Sequence, residues 1–186
     1  MAWHQAGCQL DSMAVNVSSV QFNQPDLVDI FHSIVTELGL AASCIEIEIT
    51  ERLLMANSEQ NRHVLEEMRE IVFRISVDDF GTGYSSMSYL KSLPLDIIKI
   101  DKSFIDDIPD DQNDVEITKA ILALSHSLGY TVVAEGVEKP EQLHLLQRLN
   151  CEIAQGYLFS KPVPADQLQQ LLSHSEDNRL EGFLAL

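Results

Sequence analysis

The stretch Val77-Asp78-Asp79-Phe80-Gly81-Thr82-Gly83-Tyr84-Ser85-Ser86 organises the interpretation of the whole sequence. It places two carboxylates, Asp78 and Asp79, at the end of an apolar run that begins at Ile75, and then continues into a loop with two glycines. A strand that ends in two acids beside a loop is a natural seat for a divalent metal ion. We interpret Gly81-Thr82-Gly83 as a flexible lid, with a simple turn as the alternative, because it is too short for a common phosphate-binding loop.

Strand patterns recur on both sides of this stretch. Residues Ile45 to Thr50 alternate strictly between isoleucines and polar residues, which is the period of a β-strand. By such patterns we predict six strands, at residues 13–17, 45–50, 75–79, 96–101, 131–135 and 152–155.

Helical patterns separate these strands. Pro25 stands where a first helical position belongs, and Gly39 follows the last apolar residue of the same helix. We predict helices at residues 25–38, 58–72, 87–93, 114–128, 140–149 and 165–172, and residues 1–6 fit the end of a preceding helix. Short crossovers between strands imply a parallel sheet with helices outside it, so we expect one α/β domain.

Composition narrows the class of protein. The chain has 186 residues, 45% of them hydrophobic and 22% charged, which is typical of a globular domain. A net charge of -17 argues against binding a DNA or RNA polymer through a basic surface. Cys8, Cys44 and Cys151 lie far apart and are odd in number, so we expect a reducing, cytoplasmic location. We also expect no membrane segment and no secretory signal.

Each predicted strand ends in a side chain able to bind a metal ion or a phosphate. In chain order these are Asn16, Glu48, Asp78 with Asp79, Lys99 with Asp101, Glu135 and Gln155. The carboxyl ends of parallel strands meet at one edge of a sheet, which is where ligands bind in α/β folds. Carboxylate and amide oxygens suit Mg²⁺, Mn²⁺ or Ca²⁺, and adjacent carboxylates can bridge two such ions that activate water against a phosphodiester.

Lys99 is a cation among these acids, and the sequence leaves its role open. It could position an attacking water or neutralise a phosphoryl oxygen. It could equally form a plain ion pair with Asp78 or Glu135.

Several ordered segments resemble a known family. They are Val15-Asn16-Val17-Ser18, Glu46-Ile47-Glu48-Ile49-Thr50-Glu51, Asp78 to Ser86, Leu90-Lys91-Ser92-Leu93-Pro94, Lys99-Ile100-Asp101, Ala134-Glu135-Gly136-Val137-Glu138 and Gln155-Gly156-Tyr157. Together they span about residues 14–165 and resemble the EAL-domain phosphodiesterases, which hydrolyse cyclic di-GMP to linear pGpG in bacterial signalling. The resemblance implies a modified (β/α)8 TIM barrel with one antiparallel strand.

The same resemblance implies a set of metal ligands. Asn16, Glu48 and Asp78 would ligate one ion, Asp78 would be shared with a second ion held by Asp79, and Glu135 would serve the same site. The implied cofactor is Mg²⁺ or Mn²⁺, two per complete site.

It also implies roles for residues around the metals. Lys99 would orient or deprotonate the attacking water, Glu135 would act with it in catalysis, and Gln155 would hold the water or the substrate. Glu51 would anchor the loop from Phe80 to Ser86, which in this family couples dimer contacts to the metal site.

The chain departs from the family in one respect. It contains no Glu-Ala-Leu, the strand motif that supplies a further metal-binding Glu and is followed by an Arg that grips a substrate phosphate. The six strands predicted here, compared with the eight of the family barrel, agree with the absence of this motif. We therefore expect a single EAL domain over residues 1–186, incomplete at its N-terminus and truncated to about six strand–helix units. Its open edges favour a homodimer or a larger association.

Three functions are compatible with these observations. The first is metal-dependent hydrolysis of cyclic di-GMP, with the missing strands supplied by a second copy or a partner chain. The second is a catalytically inactive module that binds cyclic di-GMP or a protein and regulates it. The third is an inactive truncated remnant.

Overall fold

A computed structural model describes residues 11–56, 58–83, 87–165 and 167–168. The predicted helical segment at 1–6, the loop residues 84–86 and most of the predicted helix at 165–172 lie outside the described residues.

The six predicted strands form one parallel sheet in which the spatial order follows the sequence order. The strands are β1 (Met13–Asn16), β2 (Ile45–Thr50), β3 (Arg74–Phe80), β4 (Ile97–Ile100), β5 (Thr131–Ala134) and β6 (Ile153–Ala154). The prediction of a parallel α/β sheet is confirmed, and every strand end lies within one residue of its predicted position.

Seven α-helices connect these strands in the described part of the chain. They are α1 (Ser19–Phe22), α2 (Leu27–Glu37), α3 (Glu51–Met55), α4 (Ser58–Glu70), α5 (Met87–Leu90), α6 (Gln112–Leu128) and α7 (Pro140–Arg148). Two short 3₁₀ turns, Ala42–Cys44 and Lys102–Phe104, complete the connections. Among the described helices, none combines the length and apolar character needed to cross a membrane.

The sequence analysis missed the two shortest of the early helices because side chains at their starts create them. The Ser18 hydroxyl accepts the Gln21 N–H while the Gln21 side chain accepts the Ser18 N–H, a reciprocal cap that begins α1. Thr50 caps α3 by accepting the Leu53 N–H. Neither helix is long enough to show an apolar period.

The prediction that the helix after Ser58 extends to Val72 was wrong. Helix α4 ends at Glu70, and Val72 adopts a left-handed conformation with φ of 73° and an exposed side chain. The turn lets the Phe73 N–H reach the Met68 carbonyl and buries the Phe73 side chain. Burial of a phenylalanine outweighs the strain of one residue in the left-handed region.

Strand β2 shows how the sheet separates its core from its polar face. Ile47 and Ile49 lie in the hydrophobic core with Leu65 of α4. Glu46 and Glu48 point to the opposite face, yet they are only 7% and 6% exposed. The alternating pattern therefore marks an enclosed polar face in this protein.

Strand β3 contains a bulge at its carboxyl end. Val77 pairs with Ile98 and Phe80 pairs with Ile100, so β3 carries one extra residue between these pairs. Asp79 accommodates the extra residue by adopting a left-handed conformation with φ of 54°. A bulge interrupts the alternation of side chains along a strand, which changes how Asp78 and Asp79 are presented.

The two cysteines in the described part of the chain differ in environment, which predicts different reactivities. Burial raises the pKa of the Cys151 thiol to about 12, whereas Cys44 is partly exposed. Because the thiolate is the reactive form, we expect iodoacetamide at pH 8 to alkylate Cys44 and spare Cys151 in the native protein. Peptide mapping measures both, and labelling in guanidinium chloride provides the control in which both should react. Equal native rates would contradict the buried position of Cys151.

Candidate active site

Lys99 lies at the centre of the polar face. Its Nζ is 2.5 Å from Glu48 Oε1, 2.6 Å from Glu135 Oε1 and 3.8 Å from Asp78 Oδ1. These four side chains come from or directly follow β2, β3, β4 and β5. The parallel register therefore brings together residues that are far apart in sequence.

The charges of this cluster are strongly coupled because it is enclosed. Lys99 is 5% exposed. Burial alone would lower the pKa of Lys99, but the carboxylates of Glu135 and Glu48 outweigh burial and raise that pKa above the ordinary lysine value. Burial raises the pKa of Glu135, and Lys99 offsets this only in part. Lys99 is therefore a permanent cation at neutral pH, and Glu135 is protonated more easily than an ordinary glutamate.

At the bulge in β3, the adjacent residues Asp78 and Asp79 make different contacts. The Asp79 N–H donates to Asp78 Oδ1 at 3.0 Å, and the Thr82 hydroxyl donates to the Asp79 carbonyl at 2.9 Å. Burial raises the pKa of the Asp79 carboxyl, and the neighbouring Asp78 and Asp101 carboxylates raise it further. Asp79 thus occupies a region with excess negative charge, which favours a cation.

Asp101 has a structural role that its position at a strand end did not reveal. Its carboxylate accepts the Ser103 N–H at 3.0 Å and so begins the 3₁₀ turn after β4. It also lies close enough to Asp79 to raise the pKa of that carboxyl. The strand-end pattern located Asp101, but only the structure shows these two contacts.

Glu51 lies under the loop that follows the aspartates. It is 2% exposed, and its Oε2 accepts the N–H groups of Gly81 at 3.0 Å and Gly83 at 3.1 Å. A Cβ at Gly83 would lie 2.9 Å from the Glu51 carboxyl, so the close approach requires glycine. Gly81 has φ of 100° and lies against the Phe104 ring.

Asn16 and Gln155 lie at opposite ends of the row of strand ends. Asn16 is the register partner of Glu48 and is exposed at the end of β1. Gln155 follows β6 with an exposed side chain, and its N–H donates to the Ala134 carbonyl at 2.8 Å. The structure therefore gathers four predicted site residues around Lys99, counting Lys99 itself, and places Asn16 and Gln155 at the flanks.

A cavity of about 300 Å³ opens beside Gln155. Its lining is mainly aromatic and apolar and includes Tyr157, Phe159 and Pro162. Lys161 Nζ lies 5.6 Å from the centre of the Tyr157 ring. The sequence analysis used Tyr157 only as part of a motif, and the cavity became visible only in the structure.

The donor atoms of this edge fit a hard divalent cation. Carboxylates of Glu48, Asp78, Asp79 and Glu135 with the amide of Asn16 form an all-oxygen set of the kind that Mg²⁺ and Mn²⁺ prefer. Within residues 11–56, 58–83 and 87–165, no three His, Cys, Asp or Glu side chains are already gathered around one ion position. Lys99 Nζ lies between Glu48 and Glu135 instead.

Comparison with known proteins gives a consistent result. The family model described as EAL domain matches residues 1–162. The chain is 47% identical over 169 residues to "Cyclic di-GMP phosphodiesterase NbdA" of Pseudomonas aeruginosa, covering 91% of this chain and 22% of that protein. Signaling protein YkoW of Bacillus subtilis is 43% identical over 170 residues, which cover 91% of this chain and 21% of YkoW. The chain thus spans about a fifth of the length of these curated relatives.

Solved structures show the same likeness. The PaMucR phosphodiesterase in complex with c-di-GMP superposes with a TM-score of 0.86 and 40% identity, covering 90% of this chain and 68% of that one. The EAL domain of Mycobacterium smegmatis DcpA gives a TM-score of 0.88 with 37% identity, covering 93% of this chain and 78% of that one. A manganese and cyclic di-GMP complex of Klebsiella pneumoniae BlrP1 gives 0.78 with 32% identity, covering 86% and 41%. From the match over residues 1–162, the strand topology and these likenesses, the chain belongs to the EAL domain family.

Proposed function

We propose that this chain carries the metal- and nucleotide-binding edge of a cytoplasmic phosphodiesterase that hydrolyses cyclic di-GMP to linear pGpG. One observation carries the proposal: at the carboxyl edge of the sheet, Lys99 Nζ lies 2.5 to 3.8 Å from three carboxylates that belong to or directly follow three other strands. The names of NbdA and PaMucR, both cyclic di-GMP phosphodiesterases, support the choice of substrate.

The metal ligands are proposed from this chain's own residues. Asn16, Glu48 and Asp78 would hold one divalent ion, Asp78 and Asp79 would hold a second, and Glu135 would serve the same site. Bound Mg²⁺ or Mn²⁺ would supply an activated water and neutralise the phosphoryl oxygens. The manganese in the BlrP1 complex supports this assignment.

The protonation states of Lys99 and Glu135 suit the two residues to different catalytic roles. Because the pKa of Lys99 is raised, its Nζ keeps its proton and donates hydrogen bonds. It is therefore suited to orient a water or to neutralise a phosphoryl oxygen. The raised pKa of Glu135 makes this carboxylate a better proton acceptor than an ordinary glutamate, since a base works best when its pKa approaches the working pH.

The cavity beside Gln155 provides a seat for a guanine base. Tyr157 and Phe159 offer aromatic surfaces of the kind on which bases stack. Gln155 lines the same cavity, and its N–H donates to the carbonyl of Ala134, the residue directly before Glu135. A cyclic dinucleotide placed here could keep a base on the aromatic side while a phosphate reaches the carboxyl edge of the sheet.

This seat predicts a loss of affinity when its aromatic surface is removed. We expect Tyr157→Ala to weaken cyclic di-GMP binding by about 1–3 kcal/mol, because it removes a stacking surface. Tyr157→Phe retains the ring and should bind nearly as well as the unaltered chain. Isothermal titration calorimetry measures both, and equal affinity in all three proteins would place the base elsewhere.

The two edge strands of the sheet are relevant to whether the chain can hydrolyse cyclic di-GMP without a partner. Among the described strands, β1 pairs only with β2, and β6 pairs only with β5. We propose that residues 1–186 form one EAL domain whose sheet is completed by the missing strands, supplied by a second copy or another polypeptide, giving a homodimer or a larger assembly. Without completion, the chain would act as the regulatory module, which binds cyclic di-GMP without hydrolysing it.

Hydrolysis and binding are separated by one experiment. The purified chain is incubated with cyclic di-GMP and Mn²⁺, pGpG is quantified by chromatography, and binding is measured by calorimetry. We expect Glu48→Gln to abolish any hydrolysis, whereas Glu67→Gln on the exposed face of α4 should have no effect. Binding without turnover supports the regulatory module, and neither binding nor turnover contradicts the proposal and supports an inactive remnant.

A further inference from the structure

Lys102 links the segment after β4 to the segment after β5. It is the first residue of the 3₁₀ turn Lys102–Phe104. Its Nζ lies 2.5 Å from Glu138 Oε1 and 3.5 Å from Asp106 Oδ1. Glu138 is three residues beyond Glu135, so this ion pair spans from the Lys99 strand to the Glu135 turn.

The stem of Lys102 also lies directly on the backbone of that turn. Gly136 has φ of 70°, and a Cβ at this position would lie 2.3 Å from Lys102 Cγ and 2.7 Å from its Cδ. A glycine is required both by the left-handed conformation and by this close approach. The aliphatic part of Lys102 thus covers the peptide that follows Glu135.

Two further contacts hold the same turn. The Glu135 N–H donates to the Ile100 carbonyl at 3.2 Å, and the Val137 N–H donates to the Gln155 carbonyl at 3.0 Å. The Glu135 carboxylate leaves this turn to meet Lys99 Nζ at 2.6 Å. A shift of the turn would therefore displace the backbone from which the Glu135 carboxylate reaches Lys99.

We propose that Lys102 is a positioning residue for Glu135. Its ion pair with Glu138 and the contact of its stem with Gly136 hold the turn so that the Glu135 carboxylate meets Lys99. This proposal concerns the active site described above and rests on the proposed function for its catalytic meaning. Displacements of about 1 Å in such a site can lower rates by about 100-fold.

Exposure distinguishes this role from a contribution to stability. The Lys102 and Glu138 side chains are 47% and 42% exposed. Exposed ion pairs add little to the free energy of folding because water screens them and both side chains lose freedom. We therefore expect the removal of Lys102 to alter the site while the melting temperature stays the same.

The test compares variants of the full chain by nuclear magnetic resonance and by metal binding. Lys102→Ala should shift the ¹⁵N resonance of the Lys99 ammonium, which reports its pairing with Glu135, and weaken Mn²⁺ binding about 10-fold. Glu138→Gln should shift the same resonance in the same direction without touching the stem. Lys102→Arg retains the charge and should leave the Lys99 resonance and the Mn²⁺ affinity as they are in the unaltered chain. Lys119→Ala removes a similar exposed pair, with Glu116 at 2.8 Å on α6, and should leave both unchanged.

The outcomes separate this proposal from the proposed function. An unshifted Lys99 resonance in folded Lys102→Ala and Glu138→Gln overturns the positioning role, whatever the chain binds. A shifted resonance in a chain that binds neither Mn²⁺ nor cyclic di-GMP supports the positioning role and contradicts the proposed function. If Lys102→Ala fails to fold, Glu138→Gln alone decides the question.

Discussion

Replacing Lys99 with methionine is expected to lower the free energy of unfolding by about 3–5 kcal/mol, the usual cost of removing one partner from a buried ionic cluster. Methionine fills a similar volume but carries no charge. The carboxylates of Glu48 and Glu135, now 2.5 and 2.6 Å from Lys99 Nζ, would then face one another and Asp78 without a cation. Urea unfolding followed by circular dichroism measures the loss.

The pH dependence of this loss tests its electrostatic origin. Burial already raises the pKa of Glu135, and Lys99→Met removes the cation that partly offsets this. The folded-state pKa of Glu135 would then lie above that of the unfolded chain, so the penalty is absent at low pH and grows as pH rises. The deficit of Lys99→Met should therefore shrink as pH falls from 7 towards about 4. Lys119→Met, at an exposed position on α6, should match the unaltered chain at every pH. A deficit independent of pH would assign the effect to packing.

Much of the fold was predictable because the strands have strong local signals. Ile45 to Thr50 alternates without exception, and the structure gives β2 the same bounds. Pro140 begins α7 as expected for a first helical position. The short helices and the turn at Val72 were not predictable, because single caps and the burial of Phe73 decide them.

The residues of the candidate site could be predicted from the sequence, but the contacts between their side chains could not. A parallel sheet brings strand ends to one edge, so Glu48, Asp78, Lys99 and Glu135 could be grouped from the sequence. Whether Lys99 meets Glu48 depends on the sheet register and on side-chain torsions, which no local pattern encodes. From the sequence, Asp78 and Glu135 were predicted as possible ion-pair partners of Lys99. The structure shows that Glu48 is also a partner and that its carboxylate lies at the shortest distance from Lys99 Nζ.

The contacts around Lys102 were hidden for a related reason. Lys102 and Glu138 are charged and exposed, and such residues usually form a solvated surface. Their importance follows from the close approach of Lys102 to Gly136, which requires the backbone geometry of two separate segments. A glycine directly after a site carboxylate is the one sequence signal that could have indicated it.

Replacing Glu51 with alanine is expected to release the loop that follows Asp78 and Asp79. Hydrogen bonds to a charged acceptor contribute about 1.5–3 kcal/mol each, and Glu51 accepts two, from Gly81 and Gly83. Part of this is offset because the buried carboxylate itself is removed, so we expect a net loss of about 3 kcal/mol in the free energy of unfolding. The released loop should also weaken Mn²⁺ binding about 10-fold, because it continues directly from the proposed ligands.

Hydrogen exchange at single amides decides whether Glu51 acts through this loop. The Gly81 and Gly83 amide protons should lose protection in Glu51→Ala, while amides in the centre of β4, such as that of Ile98, should keep it. Glu51→Gln retains one acceptor oxygen and should give an intermediate result. Glu67→Ala removes an exposed carboxylate that pairs only with His63 at 3.4 Å among the described contacts, and it should change neither exchange nor Mn²⁺ affinity. Continued protection of both glycine amides in Glu51→Ala would show that other contacts order the loop, and Glu51 would then lose its role as the anchor.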